Sequence, residues 1–231
     1  MAASSTREAL LRHGAVLFAR RGVTGVTARQ LHEAVGARNE SALHYHFGGR
    51  DGLVAEILRL HVEAVEARRA PLVAAIEADG ANADLRVLVH ALAAPMAEDL
   101  SSELGRAHLR LVAQLSHPSL AYERPFRVAD APSGRTVVRW LTETLDGLPA
   151  AVRRERLAAL RAQLISLFGL RAQLLDEQPD DPGTPAAGDL FLENLFDILV
   201  AGLAIEPSAE TLATLRTSEG SGKRARAATN G

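Results

Sequence analysis

His44 and His46 are the most closely spaced histidines of this 231-residue chain, a pair whose type suggests metal chemistry. Their spacing argues against it, because residues two apart on a helix project about 200° from one another and cannot close on one ion. His32-Glu33 opens like a zinc-protease signature, but the second histidine would fall at position 36, which is Gly36. The run Gly220 to Arg224 ends like a phosphate loop and lacks the first glycine, since position 217 is Thr217. No G-x-S-x-G nucleophile turn is present, and with no cysteine there are no thiol nucleophiles, disulfides or thiolate zinc sites. No nucleophile, base and orienting group can be read together, so catalysis is disfavoured and no cofactor or metal is expected.

What the chain does concentrate is positive charge at one end. Residues 1–50 carry seven Arg against three Glu, a balance of +4, and the remainder carries −6 to reach the net −2. A small basic head on an acidic body suits a DNA-binding module joined to a domain that does not bind DNA. Hydrophobic residues make up 47% and aromatics only 4%, with Ala, Leu, Arg and Glu abundant, so an all-α fold with a substantial core is expected. No signal peptide and no run of about 18 apolar residues is visible, which points to a cytoplasmic protein without a membrane partner.

The elements that would position the head follow from caps and periodicity. Leu10, Leu11, Gly14, Ala15, Leu17 and Phe18 predict an amphipathic first helix over 6–20. Thr27 and Gln30 form a capping box, with Val26 and Leu31 as the hydrophobic staple, for a second helix ending near Gly36. Asn39 can cap a third, in which Leu43 and Phe47 share a buried stripe, and Gly48-Gly49 ends it. A long fourth helix from Arg50 to about Asp79 turns Leu53, Ile57, Leu60 and Ala64 inward. Short helices joined by a glycine-containing turn make a helix-turn-helix.

The stretch Thr27 to Leu53, TARQLHEAVGARNESALHYHFGGRDGL, resembles the helix-turn-helix of the TetR family of bacterial regulators. Thr27, Gly36, Leu43, Tyr45, His46, Phe47, Gly49 and Arg50 fit that pattern in register. The turn from Gly36 to Leu43 is one residue longer than the commonest version, and His44 stands where tyrosine is usual. The resemblance implies that Glu40, Ser41, Ala42 and His44 face the major groove, with Arg38 and Asn39 at its edge. Arg38 would then meet guanine O6 and N7, and Ala42 a thymine methyl. Thr27, Tyr45, His46 and Arg50 would hold phosphates. Asn39 and Ser41 as caps, and Arg50 as an ion-pair partner of Asp51 or Glu56, are the structural alternatives.

Beyond Gly80, helical segments are expected at 83–100, 103–116, 120–130, 134–146, 150–177, 187–205 and 208–216, with a loop at QPDDPGTPAAG. Between 83 and 146, Met96, His108, Leu111, Gln114 and Trp140 mix apolar and polar types as a small-molecule pocket does. Helix 150–177 carries a leucine stripe and helix 187–205 is apolar almost all round, so burial against a partner chain or wholly inside its own domain is expected. Leu160, Leu164, Leu167, Phe191, Leu195 and Leu199 are the candidate dimer contacts. The chain thus divides into a DNA-binding domain over 1–50, an effector-binding and dimerisation domain over 51–216 and a disordered tail over 217–231. The function implied is a ligand-responsive regulator, acting as a repressor on palindromic operator DNA and released by an apolar or amphipathic effector. An architectural DNA-binding protein or a helical enzyme is the alternative.

Overall fold

In the computed structural model the described residues are 2–36, 41–116, 131–177 and 189–217, and among them there is no strand. The helices are α1 (Ala2–Arg21), α2 (Ala28–Ala34), α3 (Ala42–Phe47), α4 (Arg50–Asp79), α5 (Leu85–Ala97), α6 (Glu103–Leu115), α7 (Pro132–Thr144), α8 (Ala150–Glu177) and α9 (Asp189–Ala204). Residues 209–217 form a further helical segment, which takes in Thr217. The predicted helix at 120–130, the QPDDPGTPAAG loop and the tail beyond 217 lie outside the described residues.

Apolar side chains gather into two cores. The first joins Leu10, Phe18, Val26, Leu31 and Leu43 of the head to Leu53, Val54, Ile57 and Leu58 on the first turns of α4. It also takes in Ala107, Leu111 and Val112 of α6. The second joins Leu88, Leu92, Leu109, Trp140, Leu141, Leu160, Leu164, Phe168, Leu195 and Leu199. On α4 the inward stripe differs from the expected one: Leu60 is half-buried and Ala64 exposed, while Val54, Leu58, His61 and Val65 are buried. The 3.6-residue period carries the stripe to these positions, because α4 must face the head first and α5 and α7 later.

Helix α6 lies between the two cores. Gln114 Nε2 donates to the Ala19 carbonyl near the end of α1 at 2.8 Å. On its other side Asp176 of α8 accepts from Arg106 at 2.5 Å and Arg110 at 3.0 Å, one arginine on each carboxylate oxygen. Gly169 sets the spacing of α6 and α8: a Cβ there would lie 2.4 Å from the Ala113 Cβ, so any larger side chain must drive the helices apart.

The segment expected at 83–100 is broken into α5 and a 3-10 turn, Glu98–Ser101. Asp84 starts it by accepting from the Arg86 and Val87 amides at 2.8 and 3.1 Å. Pro95 disturbs its end, since proline has no N–H for the Ala91 carbonyl four residues back. Arg69 supplies the missing donor, with Nε 3.1 Å from Ala91 O and Nη2 3.2 Å from Leu92 O. Its charge is matched by Glu66 at 2.5 Å. Glu66 in turn accepts from the Ser133 and Gly134 amides at 2.8 and 3.3 Å, where α7 begins with Pro132.

Glu66→Ala removes the countercharge of Arg69 and two acceptors of the α7 N-terminus together. A loss of roughly 3–5 kcal/mol in unfolding free energy is expected, measured by urea denaturation. A change under 1 kcal/mol would show that α7 and α5 are held independently of this pair.

Candidate nucleic-acid interface

The head is assembled from its caps outward. Thr27 caps α2 as its spacing from Gln30 predicts: the Gln30 amide donates to Thr27 Oγ1 at 3.3 Å, and the Thr27 amide to Gln30 Oε1 at 2.9 Å. Val26 and Leu31 are fully buried on either side of that cap. Helix α3 is short and anchored from below by Leu43, which is 3% exposed. Phe47 is half-buried rather than wholly core, with the Arg7 guanidinium 5.5 Å from its ring centroid.

The chain reverses from α3 into α4 over Gly48 and Gly49, at φ 71° and 123°. Gly52 completes the junction. A Cβ at this position would sit 1.7 Å from the Phe47 carbonyl oxygen, so only glycine lets the start of α4 close against the end of α3.

Outward from this scaffold stand Ser41, His44 and Tyr45, all exposed, with Tyr45 at 81%. Ala42 and His46 are half-buried, and the His46 ring meets Tyr45 edge-on at 5.0 Å. Ser41 occupies the N-cap position of α3 in a helical conformation and makes no side-chain cap bond, so the alternative that gave it a capping role does not hold. Arg38, Asn39 and Glu40 lie outside the described residues. Beside α3, an open cleft of about 360 Å³ is lined by Ala28, Gly48, Gly49, Arg50 and Asp51. It lies where α2 and α4 begin, and backbone N–H groups of a helix's first turn attract anions. Arg50 sits half-buried on its wall, with a loose 3.4 Å ion pair to Asp51 and Nη1 3.5 Å from the Val26 carbonyl. Glu56, the other suggested partner of Arg50, instead accepts from Arg7 and Arg59, which hold its carboxyl below the usual range, Arg59 foremost. A polar helix face beside an open cleft that holds Arg50, paired with Asp51, is an arrangement that can face a phosphate backbone.

The residues expected to line an effector pocket are not brought to one place. Leu111 is fully buried in the head core, Gln114 binds the end of α1, and Trp140 is 3% exposed within the body core with Met96 packed against it. They diverge because successive positions on α6 alternate between the two cores. His108 alone adjoins a buried polar cluster, which the spacing of the sequence does not reveal. Its ring lies 5.2 Å from that of His61, which is 5% exposed with Nδ1 3.4 Å from Asp99 Oδ2. Arg68 pairs with Asp99 at 2.9 Å, and the Glu66–Arg69 pair lies next to it. His61 and Arg68 share one face of α4 at i, i+7, but Asp99 and His108 arrive only through tertiary folding.

The candidate dimer contacts sit in or against the body core. Leu160, Leu164, Leu195 and Leu199 are between 1% and 6% exposed in the chain's own core, and Leu167 and Phe191 pack against it. Apolar side chains on the outer faces of the same helices are Leu170, Leu190 and Ile198, each at least half exposed. No helix among the described residues is long and apolar enough to cross a membrane. No family model matches the chain, and no curated protein matches it.

Burial pushes His61 down to about 4, with His108, Arg68 and Arg69 adding to the effect and Asp99 opposing it. Because the unfolded imidazole titrates near 6.5, the unfolded chain binds more protons between those values. Stability should therefore fall as pH drops from about 6.5 to 4, by roughly 3 kcal/mol from this group. His61→Gln should flatten that slope in denaturation experiments run across the interval. An unchanged slope would assign the pH dependence to other groups.

Proposed function

We propose that the chain is a one-component, ligand-responsive transcriptional regulator that binds palindromic operator DNA as a homodimer. Supporting this most directly is the geometry of the head, where exposed Ser41, His44 and Tyr45 on α3 stand beside the Arg50 cleft at the starts of α2 and α4. It is the arrangement that the likeness of Thr27 to Leu53 to a TetR helix-turn-helix leads one to expect. In this function α3 enters the major groove, Thr27, Tyr45, His46 and Arg50 hold phosphates, and Ser41, Ala42 and His44 touch bases. An effector bound in the body changes the spacing of the two heads, and the protein leaves its operator as a repressor does.

Selection from random DNA should return an inverted repeat, with half-sites separated by about one helical turn or a multiple of it. Arg50→Ala should weaken binding to every sequence and lower the salt slope by about one unit, whereas His44→Ala should change sequence preference. Recovery of no symmetric site by gel-shift selection would refute operator binding.

The dimer uses the outer faces of α8 and α9, where Leu170, Leu190 and Ile198 are exposed. Ile198→Glu should give a folded monomer by light scattering and circular dichroism. Leu199→Glu, in contrast, should unfold the protein, because that side chain is 1% exposed in the chain's own core. A wild-type monomer at micromolar concentration would remove the dimer.

A further inference from the structure

Among the described residues of the body, Arg68 is the charged side chain whose hydrogen bonds are least satisfied. Its Nη1 donates to Asp99 Oδ1 at 2.9 Å and lies 3.7 Å from Glu98 Oε2. Its Nε and Nη2 are buried and have no hydrogen-bond partner. Those two N–H groups point in parallel from one edge of the guanidinium, the fork that fits both oxygens of a carboxylate. Beside them Asp99 Oδ2 is also buried without a hydrogen bond. His61 and His108 complete the cluster, and burial lowers both imidazoles from their ordinary range, so each offers one donor and one acceptor at neutral pH.

We infer that Arg68, with His61, Asp99 and His108 around it, forms a binding site for a small organic carboxylate. The ligand's two oxygens take the Nε and Nη2 edge of Arg68, and a hydroxyl or amine on the ligand donates to Asp99 Oδ2. Arg68 retains 24% of its side-chain exposure, but its two unsatisfied nitrogens and Asp99 Oδ2 are themselves buried, so the ligand enters by displacing the side chains that cover them. Charge in the cluster is otherwise matched: Asp99 faces Arg68, and Glu66 faces Arg69. Glu98 is largely exposed on the Nη1 side, where water screens it. An entering carboxylate therefore brings an uncompensated negative charge, and the nearby groups able to answer it are the neutral imidazoles of His61 and His108. Binding then takes up a proton and strengthens as pH falls. The chemistry differs from the apolar effector that residue types between 83 and 146 suggest, because the unsatisfied groups here are ionic.

Binding itself stands apart from the proposed DNA function, and only its consequence for operator affinity rests on that function. Arg68 lies eighteen residues along α4 from Arg50, about 27 Å on one continuous helix.

The test is titration calorimetry of the full chain with sodium benzoate and sodium acetate, with benzamide as the uncharged isostere, between about pH 8 and pH 6. Saturable benzoate binding is expected, tightening up to about tenfold per unit of falling pH as one proton is taken up. Benzamide should bind at least about tenfold more weakly. Arg68→Lys, which keeps the charge and loses the fork, should bind benzoate about tenfold more weakly as well. The benzamide comparison uses the unaltered chain and so holds even where Arg68→Lys fails to fold. Absence of saturable binding by either acid at about 10 mM would overturn the site and assign the unsatisfied atoms to water. Equal binding of benzamide, or binding that does not change with pH, would overturn it too. Benzoate binding that leaves operator affinity unchanged would uphold the site and refute only its regulatory role. Benzoate binding by a chain that recognises no DNA would uphold the site and refute only the DNA function.

Discussion

The buried pair of Glu66 and Arg69 is the interaction on which the body of this protein depends. It does more than neutralise two charges. Arg69 supplies donors to carbonyls of α5 where Pro95 has withdrawn one, and Glu66 accepts from the first amides of α7. A buried ion pair seldom stabilises a fold through attraction alone, because removing two charges from water costs about as much as their contact returns. This pair gains from satisfying backbone groups that α5 and α7 would otherwise leave without partners. It also explains why α5 tolerates an internal proline that would break an isolated helix.

Helix α4 carries that pair near its middle and opens in the head, so the head cannot tilt without turning the helix to which α5 and α7 are referenced. Helix α6 provides a second tie. Its Leu111 lies in one core and its Leu109 in the other, while Gln114 holds the end of α1 and Arg106 and Arg110 hold Asp176 of α8. Two cores that share two helices respond to strain together, because close-packed interiors transmit displacement rather than absorb it. The polar cluster of His61, Arg68, Asp99 and His108 lies on these same two helices and the 3-10 turn between α5 and α6. Any molecule that altered its charge would act on the elements that locate the head.

The outer face of the head has a different logic. Its structural demands are met from beneath by Leu43, by the Thr27 cap and by glycines at the α3–α4 junction, while Ser41, His44 and Tyr45 stand exposed. Tyr45 is 81% exposed and meets the His46 ring along one edge. In the neighbouring cleft Arg50 makes long contacts to Asp51 and the Val26 carbonyl at the starts of two helices.

Local signals were legible in the sequence because their physics is local. The capping box at Thr27 and Gln30, the stop at Gly48-Gly49, the start of α4 at Arg50 and the all-helical class follow from neighbours within about one or two helical turns. The residues of the head's outer face were named only through the resemblance to a TetR helix-turn-helix, and of these Ser41, His44 and Tyr45 are exposed. Periodicity also found the apolar stripes of α8 and α9, but it cannot say what covers them, and Leu195 and Leu199 turned out to be covered by their own chain. The polar cluster was invisible for a related reason: Arg68 and Asp99 are 31 residues apart, and Glu66 reaches the start of α7 across 67. An isolated polar residue in a helical sequence reads as solvated surface, because water is the default partner of a charge. Only the tertiary structure, by bringing α4, α5, α6 and α7 together and excluding water between them, decided which charges would have to satisfy one another.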